Sequence, residues 1–301
     1  MQVSVIIVNF NTRELLRNCL NSIYSQTKDI SFEVIVSDNG SVDGSVEMLR
    51  SDFPQVILVD NKANLGFGTA NNKGLDVAKG EFVFYLNSDT LLLNNAIKIF
   101  YDYWKQHESE QLGALGCNLV DGENKVSHSY GYFPNAFIVF RRLVHHLLTF
   151  YRLNFLKLLH VDVSKDCKAG NYKYYCGDVD YVTGADLFVK NDAAFRFDEN
   201  FFLYYEETDM EFRMSQKGLR RLIIEGPRVM HLVRGGIRKE DEVVHYGSFS
   251  IIQSEISKVR YVKKHLSKSV AFLLKLLISA QWASPYIFKN TKKHFKTLWR
   301  A

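Results

Sequence analysis

The chain has 301 residues, 47% of them hydrophobic and 24% charged, which is typical of a globular protein with one large or two modest domains. The formal net charge of +5 is uneven, because residues 256–301 hold 11 of the 38 Lys and Arg and no acidic residue, which leaves 27 basic against 33 acidic residues elsewhere. The sequence lacks a CxxC pair, metal-binding cysteine spacing and an N-terminal signal peptide, which predicts a cytosolic protein with reduced thiols at Cys19, Cys117, Cys167 and Cys176.

Strands and helices alternate in the first part of the chain. Short runs rich in β-branched and aromatic residues predict strands at Val3–Val8, Phe32–Val36, Val56–Val59 and Phe82–Leu86. Helical spacing of apolar residues follows the first strand, with Asn11 or Thr12 as its N-cap. Further helices are predicted from Ser41–Gly44 to Leu49 and from the Asn64–Asn72 turn to Ala78. This order predicts an α/β fold with a mostly parallel, Rossmann-like, doubly wound sheet and right-handed crossovers.

The second half is less regular. It predicts strands at Leu112–Val120 and Leu222–Ile224, a strand pair at Val179–Val189 around Gly184, and helices at Phe137–Leu158 and Thr208–Lys217, the latter ending at Gly218. The tail predicts an amphipathic helix at Tyr246–Leu266 and an apolar one at Val270–Trp282, which is too short to span a bilayer. We therefore expect a catalytic domain over 1–240, with halves of about 1–110 and 111–240, and a basic helical tail over 241–301.

Polar residues follow three of the predicted strands. The first strand ends at Val8, Asn9 and Phe10, the second leads into Asp38, and the fourth leads into Asn87-Ser88-Asp89. The carboxyl ends of parallel strands face the ligand crevice of such a sheet. Asp38 could accept a hydrogen bond from a nucleobase or ribose, or simply form an Asx turn. Asp89 could hold a divalent cation that neutralises a diphosphate, or cap the next turn.

A turn rich in glycine and asparagine precedes the third helix. Asn64, Gly66 and Asn72 belong to it, and its backbone N–H groups could face a pyrophosphate. The turn lacks the GK[ST] of a P-loop, and no GxGxxG follows the first strand.

An acidic run provides candidates for a general base. Glu206, Glu207 and Asp209 follow several aromatic residues, which would desolvate the carboxyl groups and raise their pKa values. An acidic first turn that complements the helix dipole is the structural alternative. His231 follows a predicted strand and Pro227, and a lone histidine at such a position is more often structural than a ligand.

In combination these motifs resemble family 2 glycosyltransferases of the GT-A fold, especially their rhamnosyltransferase-like branch. The resemblance covers residues 3–236 and is carried by Val5–Asn11, Val36–Gly44, Asn64–Asn72, Leu86–Asp89 and Tyr205–Asp209.

The resemblance implies a role for each candidate residue. It implies that Asp38 binds the donor's base or ribose and that Asn87-Ser88-Asp89 occupies the DxD-type position. Asp89 would bind Mg²⁺ or Mn²⁺, together with His231, which matches a ligand found in part of the family. Glu207 would be the base, with Asp209 and Glu206 as rivals, and it stands where the family usually has Asp.

These expectations describe an inverting, metal-dependent glycosyltransferase of cell-surface polysaccharide biosynthesis. The first candidate for its donor is dTDP-rhamnose, and a glycan or lipid-linked glycan is the expected acceptor. A catalytically silent sugar-nucleotide-binding protein on the same fold is the alternative, and a Rossmann-type oxidoreductase is a third reading that the missing GxGxxG opposes. We expect no nucleic-acid partner.

The basic tail predicts a peripheral position on the inner face of the cell membrane. Val270–Leu277 and Trp282 would offer an apolar surface beside the 11 basic residues. The alternative is that this apolar face packs on the catalytic domain or on a second subunit of a homodimer.

Overall fold

A computed structural model of the protein describes residues 1–158, 172–232 and 247–301. Its strands are β1 (Val3–Asn9), β2 (Phe32–Asp38), β3 (Ile57–Asp60), β4 (Phe82–Asn87), β5 (Thr90–Leu92), β6 (Leu112–Cys117), β7 (Tyr130–Gly131), β8 (Gly177–Asp178), β9 (Tyr181–Val182), β10 (Asp186–Lys190), β11 (Arg220–Ile224) and β12 (Val229–His231). Its α-helices are α1 (Arg13–Gln26), α2 (Ser45–Asp52), α3 (Phe67–Leu75), α4 (Ala96–Gln106), α5 (Ala136–Leu158), α6 (Glu206–Gln216), α7 (Phe249–His265), α8 (Lys268–Trp282), α9 (Phe288–Thr291) and α10 (Phe295–Arg300).

The described residues fall into two compact units. The first comprises Met1–Phe133, Tyr172–Phe202 and residues 206–232. The second comprises Leu203–Tyr205 and the described residues of 134–171 and 235–301. The predicted domain boundary at residue 240 lies outside the described residues, so that division stays a prediction.

The first unit is built on an eight-stranded sheet of order β3-β2-β1-β4-β10-β6-β11-β8. β1 pairs in parallel with β2 and with β4, and β11 pairs in parallel with β6. β10 runs antiparallel to both β4 and β6, and β8 runs antiparallel to β11. The mostly parallel sheet predicted from the alternation of strands and helices is therefore confirmed, with two reversed strands that the pattern did not indicate.

Apolar residues cover both faces of this sheet. One face packs on α1, α2 and α4, and includes a stack in which the Phe188 ring lies 5.4 Å from the Phe82 ring and 5.5 Å from the Phe100 ring. The other face packs on α3 and α6 through side chains that include Leu75, Met210 and Met214. Helices on both faces make the sheet doubly wound, as predicted.

Several local predictions need correction. α6 begins at Glu206 rather than Thr208, so the acidic run forms the first helical turn. α3 ends at Leu75 rather than Ala78. Gly218 follows α6 with φ +75°, which confirms its predicted role as the residue that ends the helix. Cys19, Cys117 and Cys176 are free thiols, whereas Cys167 lies outside the described residues.

The second unit is helical. Its core is formed by apolar side chains of α5, α7 and α8 together with Ile287, Leu298 and Ala301. The buried indole of Trp282 donates to Glu255 Oε2 at 2.6 Å, which gives the indole N–H and one carboxylate oxygen a partner inside the core. The predicted start of the first tail helix, Tyr246, lies outside the described residues, and α7 is observed from Phe249. In the described ranges, no helix combines the length and the apolar character needed to cross a membrane.

Candidate active site

The ends of three parallel strands meet at one edge of the sheet. Asn9 is paired with Asp38, and Val8 is paired with Asn87. Since these strands end within one residue of each other, the polar residues that follow them lie side by side. The expectation that these motifs share one edge is confirmed.

Asp38 is the buried centre of this edge. Its side chain has no exposed surface. Oδ1 accepts from Asn9 Nδ2 at 2.7 Å, and Oδ2 accepts from the backbone N–H of Ser41 at 2.8 Å. The Ser41 hydroxyl in turn accepts from Asn9 Nδ2 at 3.0 Å and from Asn11 N at 2.9 Å. Ser41 was not singled out from the sequence, although it directly follows the Asp-Asn-Gly turn.

Thr12 continues this network toward Ser88. It occupies the predicted N-cap position of α1, but its hydroxyl makes no capping bond. The hydroxyl instead donates to Asn9 Oδ1 at 2.5 Å and lies 2.9 Å from Ser88 Oγ. The predicted capping role is wrong, because two polar partners at the sheet edge compete for the hydroxyl.

The residues predicted to bind the donor differ in the surface they offer. Asn9 is fully buried, and Val8 is partly buried. The Phe10 side chain is 43% exposed. Phe10 can therefore present a ring to a ligand, whereas Asn9 acts through the residues it binds.

The Asn64–Asn72 turn is largely occupied by contacts within the protein. The N–H of Gly66 donates to Asn64 Oδ1 at 3.0 Å, and the N–H of Phe67 donates to Phe202 O at 2.8 Å. Gly66 has φ +87°, and a Cβ on it would lie 2.3 Å from Phe202 O, so glycine is needed for this approach. The buried Asn72 amide donates to Phe197 O at 2.9 Å and accepts from Phe197 N at 3.1 Å.

Asp89, His231 and Asn87 come together where a short strand pair meets the turn after β4. β12 pairs antiparallel with β5, which sets His231 opposite Thr90. His231 Nε2 lies 3.2 Å from Asp89 Oδ1 and 3.4 Å from Asn87 Nδ2. The β5–β12 pair was not predicted, and it is what brings His231 to Asp89.

The Asp89–His231 pair fits a divalent cation that also binds a ligand. Among the described residues, no cluster of three or more His, Cys, Asp or Glu side chains could hold a metal ion by itself. Mg²⁺ in nucleotide sites is commonly held by one or two carboxylates, with phosphates and water completing its shell. Imidazole nitrogen is a further ligand accepted by transition metals. One carboxylate and one imidazole therefore suit a metal that arrives with a diphosphate.

The three candidate acids in the first turn of α6 have different surroundings. Burial raises the pKa of Glu207 to about 7, which suits proton transfer near neutral pH. Asp209 is fully buried and forms an ion pair with Arg213 Nε at 3.1 Å. The Arg213 guanidinium also donates to Ala194 O and Arg196 O, which makes this pair part of the fold. Glu206 is buried, and its Cβ lies 3.4 Å from where a Cβ on Gly68 would stand.

A loop at Thr183–Ala185 lies between α6 and the Asn87–Asp89 turn and contacts both. The N–H of Asn87 donates to Ala185 O at 3.2 Å. A Cβ on Gly184 would lie 3.2 Å from the Phe67 ring and 4.0 Å from Glu207 Cβ. The loop thus lies against both Glu207 and the strand that carries Asp89, because β10 is inserted between β4 and β6.

Two buried acids anchor the loop and were missed by sequence reasoning. Glu211 Oε2 accepts from Val182 N at 2.9 Å, and Asp186 Oδ2 accepts from Cys117 N at 2.8 Å. Burial raises the pKa of Asp186 to about 8 and the pKa of Glu211 well above its usual range. Two sequence features could have indicated them. Glu211 lies one helical turn after Glu207, and Asp186 is an acid at the first position of the apolar strand Asp186–Lys190.

Comparison with known proteins identifies relatives of this chain. Residues 4–175 match the family described as Glycosyl transferase family 2. The chain is 40% identical over 122 residues to an uncharacterized glycosyltransferase, YfnE, of Bacillus subtilis, a stretch that covers 40% of this chain and 30% of that protein. It is 32% identical over 128 residues to the poly(ribitol-phosphate) β-N-acetylglucosaminyltransferase TarP of Staphylococcus aureus, covering 41% of this chain and 38% of that protein. The chain thus matches less than half the length of either relative.

A solved structure shares the fold over the whole chain. The crystal structure of GalNAc-T7 with UDP, GalNAc and Mn²⁺ aligns with a TM-score of 0.60 and 15% identity, covering 100% of this chain and 56% of that chain. At this identity the likeness concerns the fold alone, and it confirms the expected GT-A fold.

The buried acids predict a stability that falls as pH rises. Their folded pKa values lie above those of an unfolded chain, so the folded protein binds more protons above about pH 4. The free energy of unfolding should therefore decrease as pH rises from about 4 to about 8, the folded pKa of Asp186. Asp186→Asn keeps an acceptor for Cys117 N and should reduce this slope by about 1.4 kcal/mol per pH unit. Urea titrations across this range measure the slope.

Glu47→Gln is the matched control, because Glu47 is an exposed acid on α2. It should leave the slope as in the wild-type protein. An Asp186→Asn variant with the wild-type slope would contradict a proton held at Asp186.

Proposed function

Because this chain belongs to glycosyl transferase family 2, we propose that it is an inverting, metal-dependent glycosyltransferase. It transfers a sugar from a nucleotide-diphosphate donor to a glycan or lipid-linked glycan. The observation that carries the proposal is the arrangement of Asp38, the Asp89–His231 pair and Glu207 around one edge of the sheet. In this proposal Asp38 serves the nucleoside, the Asp89–His231 pair serves the diphosphate through a cation, and Glu207 serves the acceptor hydroxyl.

The donor binds across the ends of β1, β2 and β4. The resemblance assigns the base or ribose to Asp38, whose carboxylate is buried, and Phe10 offers its exposed ring to the base. Family resemblance favours dTDP-rhamnose as the donor to test first. The GalNAc-T7 crystal structure contains UDP, which makes UDP-sugars the second group of donors to test.

The diphosphate lies beside Asp89. Asp89 and His231 hold Mg²⁺ or Mn²⁺, which supplies positive charge that stabilises the departing diphosphate. The presence of Mn²⁺ in the GalNAc-T7 crystal structure supports this cofactor. Ser88 and Asn87 orient the turn that carries Asp89.

Glu207 is the base of a single displacement. An acceptor hydroxyl gives its proton to the Glu207 carboxylate while its oxygen bonds to the anomeric carbon. The bond between that carbon and the diphosphate oxygen breaks, and the nucleoside diphosphate leaves with the electron pair. A pKa of about 7 lets Glu207 exist as the carboxylate near neutral pH and still accept a proton. The ion pair of Asp209 with Arg213 argues against Asp209 as the base.

The acceptor is a surface polysaccharide or its lipid-linked precursor. The relative in Staphylococcus aureus is named for transfer to poly(ribitol-phosphate). This supports a role in polysaccharide biosynthesis, with the acceptor presented at the inner face of the cell membrane. A silent sugar-nucleotide-binding protein is the alternative, which would bind the donor without ever cleaving it.

The second unit provides the membrane contact. Phe272, Leu273, Leu276 and Trp299 are 40–55% exposed, and the Phe272 and Trp299 rings lie 6.0 Å apart. Exposed Lys268, Lys296 and Arg300 belong to the same helices, α8 and α10. Trp282, which the sequence suggested as part of this surface, is fully buried in the core of the unit. The contact therefore uses the opposite face of α8.

Asp89→Ala should abolish the part of nucleotide affinity that depends on Mn²⁺, because it removes the carboxylate that holds the cation. Calorimetric titration with dTDP and UDP, with and without Mn²⁺, measures this. Asp121→Ala, on an exposed turn that follows another strand of the sheet, is the control and should bind as wild type. Unchanged Mn²⁺-dependent affinity in Asp89→Ala would exclude the metal role.

Glu207→Gln should lose transfer by about 10²–10⁴-fold and keep donor binding, because only the proton acceptor is removed. A panel of nucleotide sugars with Mn²⁺, followed by release of nucleoside diphosphate, reports both donor choice and turnover. If Asp209→Asn were inactive while Glu207→Gln stayed active, the base would be Asp209 and not Glu207. Donor binding without any release would favour the silent binder.

The chain should float with anionic vesicles at low salt, since each basic residue near an anionic leaflet contributes about 1 kcal/mol. Replacing Phe272, Leu273 and Leu276 with Ser should release it, because these exposed residues insert into the bilayer. Val42→Ser, at a 90% exposed position of the first unit, should float as wild type. A wild-type protein that does not bind anionic vesicles would contradict membrane contact. A dimer detected by light scattering would then support packing of this apolar face on a second copy of the chain.

A further inference from the structure

A chain of four polar side chains runs along the active-site edge from Asp38 to Ser88. Asn9 Nδ2 donates to Asp38 Oδ1 at 2.7 Å, Thr12 Oγ1 donates to Asn9 Oδ1 at 2.5 Å, and Thr12 Oγ1 lies 2.9 Å from Ser88 Oγ. Asp38 and Ser88 begin and end this chain, and Asn9 and Thr12 link them. The three bonds connect the end of β2 with the turn that follows β4.

The direction of every hydrogen in the chain follows from Asp38. Both Asp38 oxygens accept, Oδ1 from Asn9 and Oδ2 from Ser41 N. The Asn9 amide nitrogen therefore faces Asp38, and its carbonyl oxygen is left to accept from Thr12. A hydroxyl has one hydrogen, which Thr12 gives to Asn9, so the Ser88 hydroxyl must donate to Thr12.

This direction decides what Ser88 can offer a ligand. Its hydrogen is turned toward Thr12, so its oxygen lone pairs can accept but the hydroxyl cannot donate. Ser88 is thus suited to a ribose hydroxyl or a metal-bound water, and not to a phosphate oxygen. Because all hydrogens point toward Asp38, the bonds also polarise one another.

We propose that Thr12 is a positioning residue that couples the nucleoside end of the donor site to its metal end. The inference rests on the proposed function, since it concerns the same donor and cation. A nucleoside bound at Asp38 favours the hydrogen-bonded arrangement of Asn9 and Thr12, and through them the position of the Ser88–Asp89 turn. Asp89 is then already in place for the cation, so the cation binds more tightly. Linkage requires that the cation increase the affinity for the nucleoside by the same factor.

Thr12→Val tests the coupling, because valine keeps the shape of threonine and removes the hydroxyl. The affinity for dTDP and for UDP is measured by calorimetry with and without Mn²⁺, and the ratio of the two affinities is the coupling factor. We expect this factor to fall about two- to tenfold in Thr12→Val, the range for loss of one hydrogen bond. Thr12→Ser keeps the hydroxyl and should restore it.

Thr27→Val is the matched control. Thr27 lies at the other end of α1 and is buried, and its hydroxyl has no hydrogen-bond partner among the described residues. It should keep the wild-type coupling factor. Should Thr12→Val fail to fold, Ser88→Ala breaks the same link from the other side and should lower the factor equally.

The outcomes separate the inference from the proposed function. A wild-type coupling factor in Thr12→Val, or an equal loss of affinity with and without Mn²⁺, would overturn the positioning role. A wild-type chain that binds neither nucleotide would overturn the proposed function itself. Coupling that falls in Thr12→Val and returns in Thr12→Ser supports the role.

Discussion

The parallel pairing of β1 with both β2 and β4 is the constraint on which the site depends. Because Asn9 is paired with Asp38 and Val8 with Asn87, three strands end at nearly the same level. A shift of one residue in either pairing would turn the side chains of a whole strand to the other face. The buried apolar residues on both faces prevent such a shift, so the packing of the core also holds the polar edge in register.

Burying the polar groups at this edge costs free energy unless they have partners, and they are hydrogen-bonded to one another. Asp38 and Asn9 have no exposed surface, yet each has hydrogen-bond partners within the protein. An unsatisfied buried polar group costs about 1–3 kcal/mol. The network around Asp38 thus serves the fold first, and its direction fixes which groups are offered to a ligand.

The buried acids near Glu207 are accommodated differently. Asp186 and Glu211 each use one oxygen to hold a backbone N–H and keep the other oxygen without a hydrogen-bond partner among the described residues. Such surroundings favour the neutral acid, which avoids placing further charges beside Glu207. Burial raises the pKa of Glu207 less far, to about 7, so its charge can form near neutral pH.

By itself the sequence determined the elements whose signal is local. The apolar runs of β1, β2 and β4, the helical spacing of α1 and the polar residues that end each strand all follow from short-range patterns, and they sufficed for the fold and for Asp38, Asp89 and Glu207 as candidates. Only the tertiary structure decided the partners. His231 reaches Asp89 through a three-residue strand pair, and Thr12 turns from its cap position to Asn9 and Ser88. The contacts of His231 with Asn87 and of Thr12 with Ser88 join residues 144 and 76 positions apart in sequence, and a periodic pattern carries no information about such contacts.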